Sequence, residues 1–347
     1  MGEVSVIGLD LAKNVFQLHG VDAHGKVVLR RRLRRAQVEE FFATLPPCLV
    51  GMESCPGAHH WARVLQRLGH RARIMPADYV RPYRKGGKND ASDAEAICEA
   101  VQRPGMRFVA VKTAEQQGVL ALHRARALLV RQEVALVNAM RAVLAEHGVV
   151  LGRGRREAVR VVAHLLEEGE GAEALPESVR VALAALLEAH RQLEARVRAL
   201  DAALRTWHRG CEASRRLATI PGIGVLTATA LVATVGEGGA HFRSGRHLAA
   251  WLGLVPRQHS SGERQRLGRI SKRGNGYLRR LLVLGAQALL RHVRRHMAAG
   301  RPSALPWAER LLRRRPPNVV AVALANKLAR QAWAVLHHGE PWRAQTA

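Results

Sequence analysis

The apolar run at the start of the chain constrains the fold most, because it ends on a single carboxylate. Residues 4–10 read Val-Ser-Val-Ile-Gly-Leu-Asp, which predicts a buried strand with Asp10 at its C-terminal end. Two more apolar runs follow, over residues 15–21 and 26–29, and a short turn that contains Asp and Gly separates them. That spacing is typical of a β-hairpin. The sequence therefore predicts three strands in succession.

Helices and strands then alternate as far as about residue 110. The pattern predicts a helix, a strand, a helix and a strand over residues 37–45, 48–52, 58–68 and 71–75. The fourth strand ends on Glu53, and a further helix begins near Asn89. The arginine-rich residues 30–35 either continue the third strand or leave it. This order is typical of an α/β fold, a mixed sheet with helical cover.

The remainder of the chain reads as helical. Apolar residues recur every seven positions at Leu122, Leu129, Leu136 and Val143, and a second helical stretch carries Leu186, Leu193, Val197, Leu200 and Leu204. Such stripes favour an antiparallel arm or an oligomerising coiled coil, and packing on their own domain is equally open. We expect three parts: an α/β domain over residues 1–110, a helical arm over 111–209 and a helical domain over 210–347.

Charge indicates the class of partner. Lys and Arg number 55 against 28 Asp and Glu, which gives a formal net charge of +27 and a pI of about 11.5. Such a field favours a polyanion, and nucleic acid is the usual one, although an arginine-rich proteome would also raise the count. Aromatic residues are only 4% of the chain, so we expect backbone electrostatics to outweigh base stacking.

The cysteine and hydropathy patterns predict a soluble cytoplasmic protein with no membrane partner. The four cysteines have neither metal-ligand spacing nor a paired pattern, which indicates reduced thiols. The N-terminus lacks the charged and then apolar pattern of a signal segment, and there is no run of 18 apolar residues. His59 and His60 follow Glu53 closely, but no further His or Cys completes a metal set.

Four carboxylates are notable for their positions. Asp10 and Glu53 end strands, and Asp90 and Asp93 open a helix three residues apart, which places them on one face. Carboxylates that converge in this way can bind two hard cations such as Mg²⁺ and support phosphodiester chemistry. Each also has a plainer interpretation: a strand-end turn or the phosphate-loop Asp of an actin-like ATPase, a surface acid, or a helix cap. Beside DNA, however, such a patch is repulsive unless metal ions neutralise it.

Several segments resemble the DEDD transposases of insertion sequences of the IS-one-ten type. Three N-terminal signatures are similar to residues 8–13 (Gly-Leu-Asp-Leu-Ala-Lys), 51–57 (Gly-Met-Glu-Ser-Cys-Pro-Gly) and 88–94 (Lys-Asn-Asp-Ala-Ser-Asp-Ala). The C-terminal hallmarks of that family are similar to residues 221–224, 242–244, 252–256, 261–263 and 271–275. The resemblance covers nearly the whole chain.

The resemblance implies a ribonuclease-H-like (RuvC-like) first domain in which Asp10, Glu53, Asp90 and Asp93 bind two Mg²⁺ ions, with Mn²⁺ as an alternative. It also implies a serine nucleophile in the C-terminal domain and a covalent 5′-phosphoserine link to DNA. The implied partners are donor and target DNA, a structured guide RNA called the bridge RNA, and further copies of the chain. Those copies would form a dimer of dimers, in which the acidic site of one subunit meets the serine of another.

Ser261 is our candidate nucleophile. It lies in a polar loop that precedes five cations, which would hold a scissile phosphate. The plainer interpretation is a Ser-Gly turn, and Ser260 is an adjacent alternative. Ser271 reads instead as the cap of the following helix.

Other segments are candidate nucleic-acid contacts. Residues 221–224 resemble the hairpin of a helix-hairpin-helix unit, whose backbone amides can bind a phosphate; a simple turn is the alternative. The basic loop 81–88 would position a phosphate of DNA or RNA unless it is merely solvated. We expect contacts from Arg84, Lys85, Lys88, Gly222, Gly224, Arg264, Arg266, Lys272 and Arg273.

The function predicted is that of a transposase, which cuts and rejoins DNA strands to move an insertion sequence. One alternative is a metal-dependent Holliday-junction endonuclease that uses water and forms no covalent intermediate. Another is a nucleic-acid-binding scaffold whose nuclease fold is inactive. An ATPase is disfavoured, because no second phosphate loop is visible and the positive charge does not suit it.

Overall fold

A computed structural model describes residues 3–85, 89–167, 175–239, 241–262, 264–303 and 305–343. Contacts divide the chain into two compact units, residues 1–117 and 118–347. The division into three parts at residues 110 and 209 stays a prediction. One basic residue of the predicted contacts, Lys88, lies outside the described residues.

A five-stranded mixed sheet forms the centre of the first unit. Its strands are β1 (Val6–Asp10), β2 (Val15–Val21), β3 (Val27–Arg34), β4 (Leu49–Glu53) and β5 (Arg71–Met75). Their order in the sheet is β3-β2-β1-β4-β5, with β1 antiparallel to β2 and parallel to β4. The helices are α1 (Val38–Ala43), α2 (Ala58–Arg67), α3 (Ala77–Val80) and α4 (Asp90–Val101). The predicted mixed sheet with helical cover is confirmed.

Successive side chains of β1 and β4 point to opposite faces of the sheet, and the two faces pack against different helices. Ile7, Leu9, Val50 and Met52 belong to one apolar cluster, together with buried residues of α1 and α2. The other face of these strands lies under α4, whose buried residues pack with Val6 and Leu49. The strands that end on carboxylates therefore have helices on both faces, α1 and α2 on one and α4 on the other.

Two glycines let α4 approach this second face closely. Gly8 of β1 and Gly51 of β4 are partners in the parallel register. A Cβ atom on Gly8 would lie 2.1 Å from the carbonyl oxygen of Ala94, and one on Gly51 would lie 2.8 Å from the Cβ of Val101. No side chain larger than hydrogen fits at Gly8 without movement of the α4 backbone.

Strand β3 resolves the open question about the arginine-rich segment. It runs to Arg34, and its partners on β2 continue as far as Val15. Five arginines therefore lie on the edge strand of the sheet or at its end, Arg30, Arg31, Arg32, Arg34 and Arg35. Charged side chains on an edge strand oppose edge-to-edge pairing with other chains.

Two long helices come next along the chain, and a shorter one lies between them. They are α5 (Ala114–Ala145), α6 (Arg155–Glu167) and α7 (Glu177–Gly210). The Gly- and Arg-rich loop predicted over residues 148–156 is shorter than expected, because α6 begins at Arg155. Helix α6 forms because Ala158 and Val162, four residues apart, are buried against both long helices.

Helices α5 and α7 run antiparallel. Leu144 and Leu183 share one cluster, Val119 and Leu204 share another, and Arg126 pairs with Asp201 between them. Buried positions on both helices fall three, four, seven or ten residues apart, the spacings of a heptad seam. The column predicted on α5, Leu122, Leu129, Leu136 and Val143, is only half-buried and flanks this seam. The seam is thus closed within one chain.

The C-terminal part is helical apart from one two-stranded ribbon. Its helices are α8 (Glu212–Leu217), α9 (Val225–Val235), α10 (Gly245–Trp251), α11 (Gly276–Ala298), α12 (Pro306–Leu312) and α13 (Pro317–His338). The ribbon consists of β6 (Pro256–Gln258) and β7 (Leu267–Ile270), and it joins α10 to α11.

Helix α13 is long and apolar enough, by length and composition, to cross a membrane. Half of its apolar window is nevertheless buried within the protein, where it packs with α8 to α12. This is the behaviour of a core helix in a globular unit.

Gly8→Ala should destabilise the first unit by about 2–3 kcal/mol, because its added Cβ would overlap backbone atoms of α4 that cannot rotate away. Gly105→Ala is the matched control, since a Cβ there meets no heavy atom within 4 Å. Thermal unfolding of both variants checks the prediction, and equal melting temperatures would contradict it.

Candidate active site

The four predicted carboxylates come from three elements of the first unit. Asp10 ends β1 and Glu53 ends β4, one residue beyond the paired residues Leu9 and Met52. By strand alternation, both lie on the face that α4 covers. Asp90 and Asp93 occupy the first turn of α4. The structure thus brings the two strand ends and the helix start to one corner of the sheet.

The electrostatics of Asp10 show that the other three carboxylates act on it. Burial raises the pKa of Asp10 to about 6, and the negative charges of Asp93, Asp90 and Glu53 contribute to the same rise. A hydrogen bond from the Leu11 amide acts in the opposite direction. Like charges gathered in this way are stabilised by a proton or by a cation.

The start of α4 does not use these acids as caps. Asn89 is the N-cap: its side chain accepts a hydrogen bond from the Ser92 amide at 2.8 Å. Asp90 and Asp93 are therefore not needed to satisfy the first turn, although their charges favour a helix N-terminus. This capping removes one of the plainer interpretations of Asp90.

Arg84 has a different partner from the one that the sequence predicts. Its guanidinium forms an ion pair with Asp93, and both side chains are largely buried. Lys85 is exposed, and its Nζ lies 3.3 Å from Glu95 Oε1. In this arrangement Arg84 supplies positive charge to the carboxylate cluster rather than presenting it to solvent.

The donor set suits a hard divalent cation, because all four groups are carboxylates and their mutual repulsion is visible at Asp10. Among the described residues, however, no three His, Cys, Asp or Glu side chains are grouped closely enough to hold a metal ion. The Asp93 carboxylate is paired with the Arg84 guanidinium rather than with a shared cation, which is consistent with the carboxylates lying apart. The chemistry of the donors therefore fits a metal, and the carboxylates would have to move closer together to share one.

The environment of one thiol, that of Cys55, was not predicted from the sequence. Burial raises its pKa, and the charges of Asp10 and Glu53 raise it further, so the thiol lies near the cluster. The sequence signal for this environment was the position of Cys55 two residues after Glu53. Such a thiol stays protonated and is a poor nucleophile.

Ser261 lies at the tip of the ribbon formed by β6 and β7. The hydroxyl of Ser260 accepts a hydrogen bond from the Arg266 amide at 3.2 Å, whereas the carbonyl of Ser261 accepts one from the Arg264 amide. Both serines are exposed. The two candidates thus differ: the Ser260 hydroxyl helps to close the ribbon, and the Ser261 side chain is presented to solvent.

Exposed cations surround this loop, as the sequence predicts: Arg264, Arg266, Arg269, Lys272 and Arg273. Lys272 adopts a left-handed backbone conformation with φ of +55°, which is strained for a residue with a side chain. Packing fixes this turn, because its amide donates to the Gly253 carbonyl, and a Cβ on Gly253 would lie 2.5 Å from the Arg273 nitrogen. The charge of Lys272 is therefore held in a defined place.

The predicted role of Ser271 as a helix cap is wrong. Helix α11 begins at Gly276, and the side chain of Asn275 accepts the hydrogen bond from the Leu278 amide at 3.0 Å. Ser271 instead follows β7 directly, and its amide donates to the Val255 carbonyl. Asn is as good a cap as Ser, and it stands one residue before the helix.

The hairpin at residues 221–224 joins α8 to α9. Gly222 has φ of +88° and is wedged against Leu289 of α11, and a Cβ on Gly285 would lie 2.0 Å from the Gly222 carbonyl oxygen. Gly224 is the exposed N-cap of α9, with open space around it. The amides at this helix start can thus reach an anion.

Comparison with known proteins agrees with the motif resemblance. Residues 7–148 match a transposase domain of the DEDD type from IS110 elements, and residues 214–300 match the domain described as "Transposase IS116/IS110/IS902 family". A "Probable family 20 transposase" of Pseudomonas aeruginosa is 51% identical over 96% of this chain and 97% of its own. The chain belongs to the IS116/IS110/IS902 family of transposases.

Two further relatives cover this transposase almost end to end. The "Transposase for insertion sequence element IS1328" of Yersinia enterocolitica is 43% identical over 98% of both chains. The "Transposase for insertion sequence element IS1111A" of Coxiella burnetii is 41% identical over 99% of this chain and 92% of its own. Transposases cut and rejoin DNA, so the predicted enzyme class is confirmed.

Without divalent ions, the ionisation of Asp10 should lower the stability of the transposase as the pH rises. A pKa raised from 3.8 to about 6 means that the folded state favours the protonated acid, so this contribution is present below pH 4 and is lost above pH 6. Asp10→Asn should therefore raise the melting temperature in chelator at pH 7.5 and have little effect at pH 4.5.

Asp22→Ala is the control for that measurement. Backbone amides lower the pKa of Asp22, so its contribution is present at high pH and is lost as the pH falls. Its effect on melting should have the opposite sign. An equal shift for Asp10→Asn at both pH values would contradict the prediction.

Lys272→Ala and Lys272→Gly should separate charge from backbone strain. Both remove the cation and should weaken DNA binding equally. The glycine variant should be more stable than the alanine variant by about 1 kcal/mol, because glycine adopts the left-handed region without strain. Chemical denaturation and salt-dependent DNA binding measure the two effects, and equal stability would show that the turn is not strained.

Proposed function

We propose that this transposase breaks a DNA strand by attack of the Ser261 hydroxyl on a phosphate, with the four carboxylates of the first unit as its metal-binding site. The observation that carries the metal-binding part of the proposal is the meeting of Asp10, Glu53, Asp90 and Asp93 at one corner of the sheet, where burial and the other three charges raise the pKa of Asp10. The role of Ser261 is supported by the resemblance to DEDD transposases and by its exposed place on the ribbon. Four acids in one place are costly beside DNA unless cations accompany them. The chain is strongly basic elsewhere, with a net charge of +27.

The proposed reaction is a transesterification. The Ser261 oxygen bonds to phosphorus, the bond from phosphorus to the 3′ oxygen breaks, and that oxygen keeps the electron pair. Ser261 loses its proton and the departing 3′ oxygen gains one. The products are a 5′-phosphoserine and a free 3′-hydroxyl. A 3′-hydroxyl of another strand then attacks the phosphoserine, rejoins the DNA and restores Ser261.

The residues of the chain have separate tasks in this scheme. Divalent ions, when bound, would supply positive charge to the phosphate and to the departing oxygen. Asp10, Glu53, Asp90 and Asp93 would hold them, with Mg²⁺ favoured by the all-oxygen donor set and Mn²⁺ as the alternative. Arg264, Arg266, Lys272 and Arg273 would bind the phosphate beside Ser261.

Ser261 is a better candidate than Ser260 on local geometry. The Ser260 hydroxyl already accepts a hydrogen bond from the Arg266 amide, and attack by Ser260 would break that hydrogen bond. The Ser261 side chain projects from the same ribbon, which Ser261 joins through its backbone. We therefore assign the covalent step to Ser261.

The resemblance to DEDD transposases extends the proposal to assembly and targeting. The acidic site of one copy would serve Ser261 of another copy within a dimer of dimers. A structured guide RNA would specify the donor and target DNA, and the net charge of +27 supports a second polyanion. Two lysines of the loop that begins at Arg81 would contact one of these nucleic acids, Lys85 and Lys88, whereas Arg84 is already paired with Asp93.

Ser261→Ala should abolish the covalent protein–DNA adduct and reduce strand cleavage by at least about 10³-fold, because the attacking atom is gone. Denaturing electrophoresis and mass spectrometry of the full chain, incubated with element-end DNA, its RNA and Mg²⁺, detect the adduct. Ser260→Ala is the matched control and should keep it.

Other outcomes identify the alternatives. Cleavage that survives Ser261→Ala without an adduct would indicate an endonuclease that uses water. An adduct that moves to residue 260 would reassign the nucleophile. Recombination that survives Asp10→Ala would indicate that the carboxylates are structural and that the nuclease fold is an inactive scaffold.

A further inference from the structure

A large groove runs along α13 in the C-terminal part of the second unit. Its volume is about 2050 Å³, and its walls come from α13, the start of α10, α12 and the ribbon of β6 and β7. Pockets for small molecules usually measure about 300–1,000 Å³. A groove twice as large suits a segment of a polymer.

The charge of the groove indicates which class of polymer it would bind. Its described lining holds six cations and one carboxylate, Glu340; the cations are Arg246, Arg269, Lys272, Lys327, Arg330 and Arg343. None of the six forms an ion pair with a carboxylate among the described residues. Unpaired cations along an open groove favour a chain of phosphates.

An exposed aromatic ring lies at the edge of the groove. The Trp307 side chain is 39% exposed, and Lys327 Nζ lies 5.5 Å from its ring centroid. The lining holds two more tryptophans. Trp333 is already engaged, because it stacks on His337 at 4.5 Å and donates to the Phe242 carbonyl, and Trp342 is partly buried against the apolar core. Trp307 is therefore the ring on which a base can stack, with a cation beside it for the phosphate.

The nature of the lining favours a particular nucleic acid. A base can stack on Trp307 only if it is unpaired, which excludes intact duplex. Much of the groove surface is apolar, including Leu254, Ile270, Val319 and Val322. An apolar wall suits deoxyribose better than ribose, because a buried 2′-hydroxyl without a partner is costly.

We propose that this groove binds an unpaired stretch of DNA, with one base stacked on Trp307 and the backbone along Lys327, Arg330 and Arg246. The proposal rests on the proposed function in one respect: the strand would be the one presented to Ser261. The groove supports that link, because two of its cations belong to the same segment as Ser261: Arg269 lies in β7 of the ribbon, and Lys272 follows that strand.

The test is direct binding of labelled oligonucleotides to the full chain by fluorescence anisotropy, in a Ser261→Ala background so that no covalent adduct contributes. Trp307→Leu should weaken binding of single-stranded DNA about tenfold, because the stacking of one base is removed. Trp307→Phe should keep most of the affinity, since an aromatic face remains. Trp251→Leu is the matched control, because Trp251 is similarly exposed at 37% and lies outside the groove lining.

A second readout tests the binding of the DNA backbone. Replacing Lys327 and Arg330 together by Gln should reduce the slope of log affinity against log salt by about 0.7 for each phosphate that is no longer neutralised. Thermal melting of each variant checks folding. An unchanged slope with unchanged affinity would overturn the groove as a DNA site.

The remaining outcomes decide between occupants. Equal weakening with Trp307→Leu and Trp251→Leu, or no weakening with either, would overturn the stacking role of Trp307. Duplex bound as tightly as single strands would overturn the unpaired strand, and RNA bound more tightly would overturn DNA. If Ser261 proves not to form an adduct while the Trp307 effect is intact, the groove stands as a DNA site and only its link to serine chemistry is removed.

Discussion

The closeness of α4 to the sheet is the constraint on which the candidate site depends. Gly8 and Gly51 are register partners; the α4 backbone occupies the space that a side chain at Gly8 would need, and the Val101 side chain occupies that at Gly51. Asp10 follows Gly8 by two residues, and Asp93 precedes Ala94, the residue whose carbonyl lies over Gly8. Because the glycines hold the helix start over the strand ends, carboxylates distant in sequence share one electrostatic environment.

Much of the first unit could be predicted from the sequence, since apolar runs that end on Asp10 and Glu53 set both the strands and their last residues. The end of β3 was undecided because arginines on an edge strand carry no apolar alternation. The ion pair between Arg84 and Asp93 could not be predicted, because it depends on how the chain from β5 returns to α4. Such pairings between side chains are set by the folded path of the chain.

The second unit was harder to predict, and for a different reason. The heptad repeat of α5 and α7 was visible, but its pattern is the same whether the seam closes within a chain or between chains. The groove along α13 could not be predicted from the sequence, because Trp307 and Lys327 are 20 residues apart (327 − 307) on separate helices. The low aromatic content of the chain also gave no reason to expect that a single aromatic ring would stack on a base.

The pairing of Arg84 with Asp93 has a consequence for how the carboxylates are neutralised. Many small metal-dependent units fold only when the ion arrives, because nothing else neutralises their ligands. Here a guanidinium from the same chain already neutralises one carboxylate, and burial favours a proton on Asp10. The first unit thus carries a counter-ion of its own, so its carboxylate cluster does not depend on a bound divalent ion for all of its neutralisation.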